Sequence, residues 1–157
     1  MDEARVPEWI RKLKQEHELS AAREDAARRQ QVENSLLLQQ EGPKFWSRLQ
    51  ESLALAVNSL PLLKISGSIS RFAEGIRIEV AYQHLVPIQT YTDISYDAER
   101  AIVRCATING GIGQLYLCVT DGNELAALAE FDGSPMNPEQ VSEFILRPMV
   151  DYVYIQK

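Results

Sequence analysis

The chain has 157 residues, of which 45% are hydrophobic and 24% charged. That is enough for one ordinary hydrophobic core and too apolar for wholesale disorder. The formal net charge of −6 offers no electrostatic reason to bind nucleic acid, and no apolar run approaches the ~18 residues that span a bilayer.

Met1-Asp2-Glu3-Ala4-Arg5 lacks the basic start and apolar stretch of a secretory signal, and its acids fit a transit peptide poorly. The cytoplasm is therefore the expected compartment. Cys105 and Cys118 form no CxxC, which suits reducing surroundings. Both fall on strands expected to pair, so a cross-strand disulfide is conceivable. Two small buried thiols are the favoured reading, because cysteine is among the most buried residue types. Charge divides unevenly: residues 1–60 carry nine Lys/Arg against ten Asp/Glu, and residues 61–157 carry seven against twelve. The N-terminal part is dense but balanced, as solvated helices are, and the rest is the acidic half.

In chain order, Pro7 and Glu8 suit a helix start, and no Gly or Pro follows until Gly42-Pro43. Lys12 with Glu16, Lys14 with Glu18, Glu24 with Arg28 and Asp25 with Arg29 stand four apart, each pair stabilising an exposed helix slightly. Trp9, Ile10 and Leu13 begin an apolar stripe and Val32, Leu36 and Leu37 end one, but only Ala21, Ala22, Ala26 and Ala27 fill the middle. That is too thin for a sustained heptad seam. Gly42-Pro43 is expected to end this helix and start a second. There Phe45, Trp46, Leu49, Leu53, Ala56, Val57 and Leu60 recur at steps of three and four, a strong apolar face anchored by Trp46 and Leu49. Pro61 closes it.

From Leu62 the period shortens to about two. Leu63, Ile65 and Ile69 alternate with polar residues, and Ile76, Ile78, Val80 and Tyr82 alternate with Arg77, Glu79 and Ala81. A third strand runs from Val86 to Ile94, followed by a turn at Tyr96-Asp97-Ala98. Ala101–Ile108 and Gln114–Thr120 flank the hairpin signal Asn109-Gly110-Gly111, and Asp121-Gly122 turns the chain into Glu124–Phe131. That last segment has helix-forming residues, yet two Asp-Gly pairs leave little room for a helix. Asn137, Pro138, Glu139 and Gln140 make a capped helix start. Val141, Phe144 and Ile145 form its apolar face, and Pro148 is expected to end or kink it. Met149–Ile155 then reads as a kinked continuation, favoured, or as a final strand.

Specific chemistry is sparse. The sequence has no GxSxG, P-loop, HExxH or Rossmann fingerprint. Gly110-Gly111-Ile112-Gly113 lies between strands and lacks a following Lys-Ser/Thr, so it reads as a hairpin turn. His17 sits on the charged helix. His84, beside Gln83 and near Asp93 and Glu79, is a candidate base at a pocket mouth, but a turn histidine is the favoured reading. Two distant histidines and two strand cysteines do not match zinc spacing. Asp93, Asp97 and Glu99 cluster near a turn without an EF-hand pattern. No cofactor is expected.

Two surfaces stand out: the start of the first helix, with Trp9, Ile10 and Leu13, and a polar sheet face with Arg77, Glu79 and Tyr91. Either can bind another chain, or the helix start can fold back on its own domain. In outline, the segment from Gln114 to Met149 is similar to the end of type III secretion chaperone-like domains, a likeness of shape that no residue motif carries.

The expected fold is α+β. An N-terminal helical hairpin (long charged helix plus amphipathic helix) precedes an antiparallel meander of about six strands, with a C-terminal helix packed on one sheet face. Residues 1–42 form a charged helical arm and residues 43–157 a single α+β domain. The expected function is a non-enzymatic protein–protein interaction or adaptor/chaperone-like domain that self-associates, with a protein partner or a second copy and neither nucleic acid nor membrane. The alternative is a small-molecule-binding domain or enzyme whose pocket lies between sheet and helices, with His84, Tyr82 and Tyr116 as candidates.

Overall fold

The structure, a computed structural model, describes residues 5–82, 88–108, 111–130 and 133–155. The chain divides into two compact units, Met1–Leu36 and Leu37–Lys157.

Helix α1 runs from Glu8 to Ser59. In the first unit its side chains pair locally: Lys12 with Glu8 at 3.8 Å, Lys14 with Glu18 at 3.9 Å, and Arg28 with both Glu24 and Asp25. Lys12 thus reaches back to Glu8 rather than forward to Glu16. All these groups are well exposed, so each pair contributes only a few tenths of a kcal/mol.

The expected helical hairpin is not formed, because α1 continues through Gly42-Pro43 without a turn. Gly42 is buried, and a β-carbon there would collide with Tyr96 Oη. Its missing side chain therefore serves a close approach and not a helix end. Pro43 is exposed, as is Gln39, whose carbonyl loses its amide donor to the proline and is left to water. Beyond it, buried Phe45, Leu49, Leu53 and Val57 dock the helix firmly enough to outweigh the roughly 3 kcal/mol that an interior proline costs. Leu49 and Leu53 carry this docking, both wholly buried. Trp46 is only partly buried and stacks on Tyr96, with ring centroids 6.0 Å apart.

A short 3-10 turn, Leu60–Leu63, ends on Lys64 in the left-handed region, so the first strand starts later than the period suggests. The strands are β1 (Ser66–Phe72), β2 (Gly75–Tyr82), β3 (Ile88–Asp97), β4 (Ile102–Thr107), β5 (Gly111–Val119) and β6 (Leu125–Ala129). They form one antiparallel sheet in sequence order, the expected six-stranded meander. The β3–β4 turn falls two to three residues later than expected. There the Asp97 carboxylate accepts the Glu99 and Arg100 amides, and Ala101 takes a positive φ of 53°. Gly111–Gly113 belong to β5, and the remaining residues of that turn signal, Asn109 and Gly110, lie outside the described residues. The outer edge of β6 is closed by a bridge in which Ala127 and Met136 exchange amide bonds at 2.9 Å.

Helix α2 spans Pro138–Ile155. Asn137 Oδ1 accepts the Gln140 amide at 2.8 Å, and Gln140 Oε1 accepts the Asn137 amide at 2.9 Å, a reciprocal capping box. Pro148 lies inside the helix, and Met149–Ile155 continue it. Pro148 and Phe144, whose carbonyl loses its donor, are both exposed, while Met149 and Val153 are buried beyond them.

One core lies between the helices and the inner sheet face. Ile76, Ile78, Val80, Ile94, Val103, Leu115 and Leu117 meet the buried stripes of α1 and α2. Leu49→Ala should cost about 2–5 kcal/mol by leaving a cavity, read as a lowered denaturant midpoint; the same truncation at half-exposed Trp46 should cost less.

Tyr96 Oη is buried and has no hydrogen-bond partner among the described residues. Tyr96→Phe should therefore be neutral or slightly stabilising, because it removes an unsatisfied group. Gly42→Ala should destabilise, although helix propensity alone favours alanine by about 1 kcal/mol. The double variant should recover much of the loss, since the nearest remaining ring atom would lie 3.4 Å away. Additive effects in thermal melts would show that Gly42 and Tyr96 do not share the space.

Candidate functional site

The inner face of the sheet has two sectors. On β2 and at the Ile94, Val103 and Leu115 positions the residues are large and fill the core. Other inward positions on β3, β4 and β5 include Thr90, Thr92, Cys105, Thr107 and Gly113, with Thr92 opposite Thr107 and Cys105 opposite Gly113. These small side chains leave space that α2 does not fill. The result is a recess of about 360 Å³ whose far wall is Phe144, Ile145, Pro148, Met149 and Tyr152. Phe144, Pro148 and Tyr152 recur every four residues and so share one flank of α2. Thr92 Oγ1 donates to Met149 Sδ at 3.3 Å, tying floor to wall.

Cys105 lies in the floor, and burial pushes its thiol up from 9.0 to about 12. It is a neutral, weakly nucleophilic group at ordinary pH. Cys118 stands on the opposite face, across from Ala126; both cysteines are free, and their placement rules out a cross-strand disulfide.

The outer face gathers most of the predicted polar residues. Arg77 Nε and an Arg77 terminal nitrogen donate to the two Asp93 oxygens at 2.7 and 2.9 Å. The guanidinium lies 4.2 Å from the Tyr91 ring centre, and Glu79 sits opposite Tyr91 in the register. The Arg77 hydrogen bonds hold the Asp93 carboxyl below the usual carboxylate range. Arg104 donates to Asp97 at 3.2 Å. Each of these two carboxylates is thus engaged by an arginine, and no cluster of three potential metal ligands occurs among the described residues.

The remaining predicted residues are scattered. Tyr116 lies on the outer face and donates to Gln114. Tyr82 faces inward against Tyr154, ring centroids 6.3 Å apart, away from the recess. His84 lies outside the described residues. Trp9, Ile10 and Leu13 are exposed on α1. Sequence reasoning offers a pocket between sheet and helices as its alternative but assigns it to His84, Tyr82 and Tyr116. The signal for the recess is instead the inward positions on β3–β5 that read Thr, Thr, Cys, Thr and Gly where Ile94, Val103 and Leu115 are large.

A second depression, about 460 Å³, lies beside Arg48, Glu51 and the start of α2, where the capping box already occupies the end of the helix. No described helix is long and apolar enough to cross a membrane. Comparison with protein-family models, with curated proteins and with solved structures finds no match to this chain.

The Cys105 shift has a signed consequence. Between pH 9 and 12 the unfolded chain releases this proton while the folded protein retains it, so stability is fully present below pH 9 and falls as pH rises through that window. Chemical denaturation across the window should show a shallower decline in Cys105→Ala, with a residual slope from Tyr96, whose hydroxyl is also pushed up by burial. An unchanged slope would mean that Cys105 ionises freely in the folded state.

Proposed function

We propose that this is a non-enzymatic interaction protein that associates with a second copy of itself through the helix of its first unit. The observation that carries the reading is burial: every residue from Glu8 to Glu33 is exposed, including Trp9 at 67%, Leu19 at 59% and Val32 at 59%. Isolated helices gain most of their stability from packing an apolar face. The exposed ion pairs along this stretch supply only a few tenths of a kcal/mol each. A neighbouring helix offers what is lacking, and the Ala21-Ala22 and Ala26-Ala27 pairs allow two backbones to approach closely. The chemistry of the second unit supports a non-catalytic role, since Asp93 and Asp97 are bound by arginines and Cys105 holds its proton.

Light scattering tests the proposal. The full chain should show a mass that is a multiple of 17.8 kDa. Removal of residues 1–36 should return the second unit to a monomer with its melting transition intact, and Leu19→Lys with Val32→Lys should weaken the assembly in the full chain. A full-length protein that remains at 17.8 kDa at high concentration would remove the basis of the reading.

A further inference from the structure

We infer that the recess between α2 and strands β3–β5 is a binding site for an uncharged, largely apolar small molecule. The inward floor positions are small where β2 and the Ile94, Val103 and Leu115 positions are large, so the hollow follows from residue choice and not from a poorly seated helix: Met149 and Ile145 on the same helix are buried against the core. A volume of about 360 Å³ falls at the lower end of the roughly 300–1,000 Å³ typical of small-molecule sites.

The lining sets the chemistry. No charged side chain is among the described lining residues, and Cys105 remains a neutral thiol, so a phosphate, carboxylate or ammonium would lose its hydration without a counter-charge. Apolar contact comes from Phe144, Pro148 and Tyr152, and hydroxyls come from the threonines of the floor. Glu143, Arg147 and Asp151 border a separate depression, which shares only Phe144 and Pro148 with the recess. An elongated or two-ring molecule with at most a weak hydrogen-bonding group fits this environment.

The test is a fluorescence titration of the full chain with the neutral dye N-phenyl-1-naphthylamine. Saturable binding to about one site per chain is expected. The anionic analogue 1-anilinonaphthalene-8-sulfonate should bind about tenfold or more weakly. A β-carbon at Gly113 meets nothing within 4 Å, so Gly113→Leu fills the recess without disturbing the strand and should weaken the neutral dye at least about tenfold. Phe144 is 48% exposed; Phe144→Ala removes the wall at little cost to folding and should also weaken binding, which carries the test should Gly113→Leu melt early. The Leu19→Lys, Val32→Lys variant should bind the dye as the parent does, which separates the recess from the exposed residues of α1. Non-saturable emission, equal affinity for the charged dye, or affinity unchanged in both Gly113→Leu and Phe144→Ala would overturn the inference.

Discussion

The central strands β2, β3 and β4 present Ile78, Ile94 and Val103 to one side, all three wholly buried. Everything else in the second unit is arranged around covering that surface. Leu49 and Leu53 reach it from α1, and Val141 and Val153 from α2, so two helices distant in sequence share one apolar floor. Burial of large side chains at these positions contributes on the order of 1.5–3 kcal/mol each, more than the local penalties along the way. Both helices accordingly contain a proline, and both continue past it. The prolines face outward, where their orphaned carbonyls meet water, and the turns that follow are held by contact with the sheet.

The same constraint explains what was legible in the sequence. Alternation at Ile76, Ile78 and Val80 and the turn residues after β5 identify the strands, because each strand pairs with its neighbour in sequence and needs only local signals. The cap at Asn137–Gln140 is equally local and forms as read. Gly42-Pro43 is different. Taken alone it is a helix-ending pair, and only the position of Tyr96, more than fifty residues later, gives the glycine another purpose. Leu62 and Leu63 likewise read as the start of a strand, whereas Pro61 and left-handed Lys64 bound a 3-10 turn there.

Candidate residues were legible as chemistry and less so as geometry. Arg77, Glu79 and Tyr91 share the outer face as their alternation requires, yet Asp93, noticed for its proximity to a turn, proves to be the bidentate partner of Arg77. Cys105 and Cys118 lie on paired strands but on opposite faces, an outcome of residue parity about the β4–β5 hairpin. The sequence leaves a pocket between sheet and helices open as an alternative, but its lining is not legible in His84, Tyr82 and Tyr116, because a cavity is written in small side chains and not in reactive ones.

The order of elements has a consequence for how the molecule is made. A meander closes short loops, so its hairpins can form successively as the chain emerges, without the long loop closures that slow parallel sheets. Helix α2 follows the whole sheet in sequence, and it supplies Val141, Ile145, Leu146, Met149 and Val153 to the core. Until α2 has emerged and docked, the inner face of a completed sheet is covered from the α1 side only. The folding chain therefore carries a ready-made sticky surface for the interval between forming β6 and seating α2, which makes this the stage at which a chaperone has most to hold.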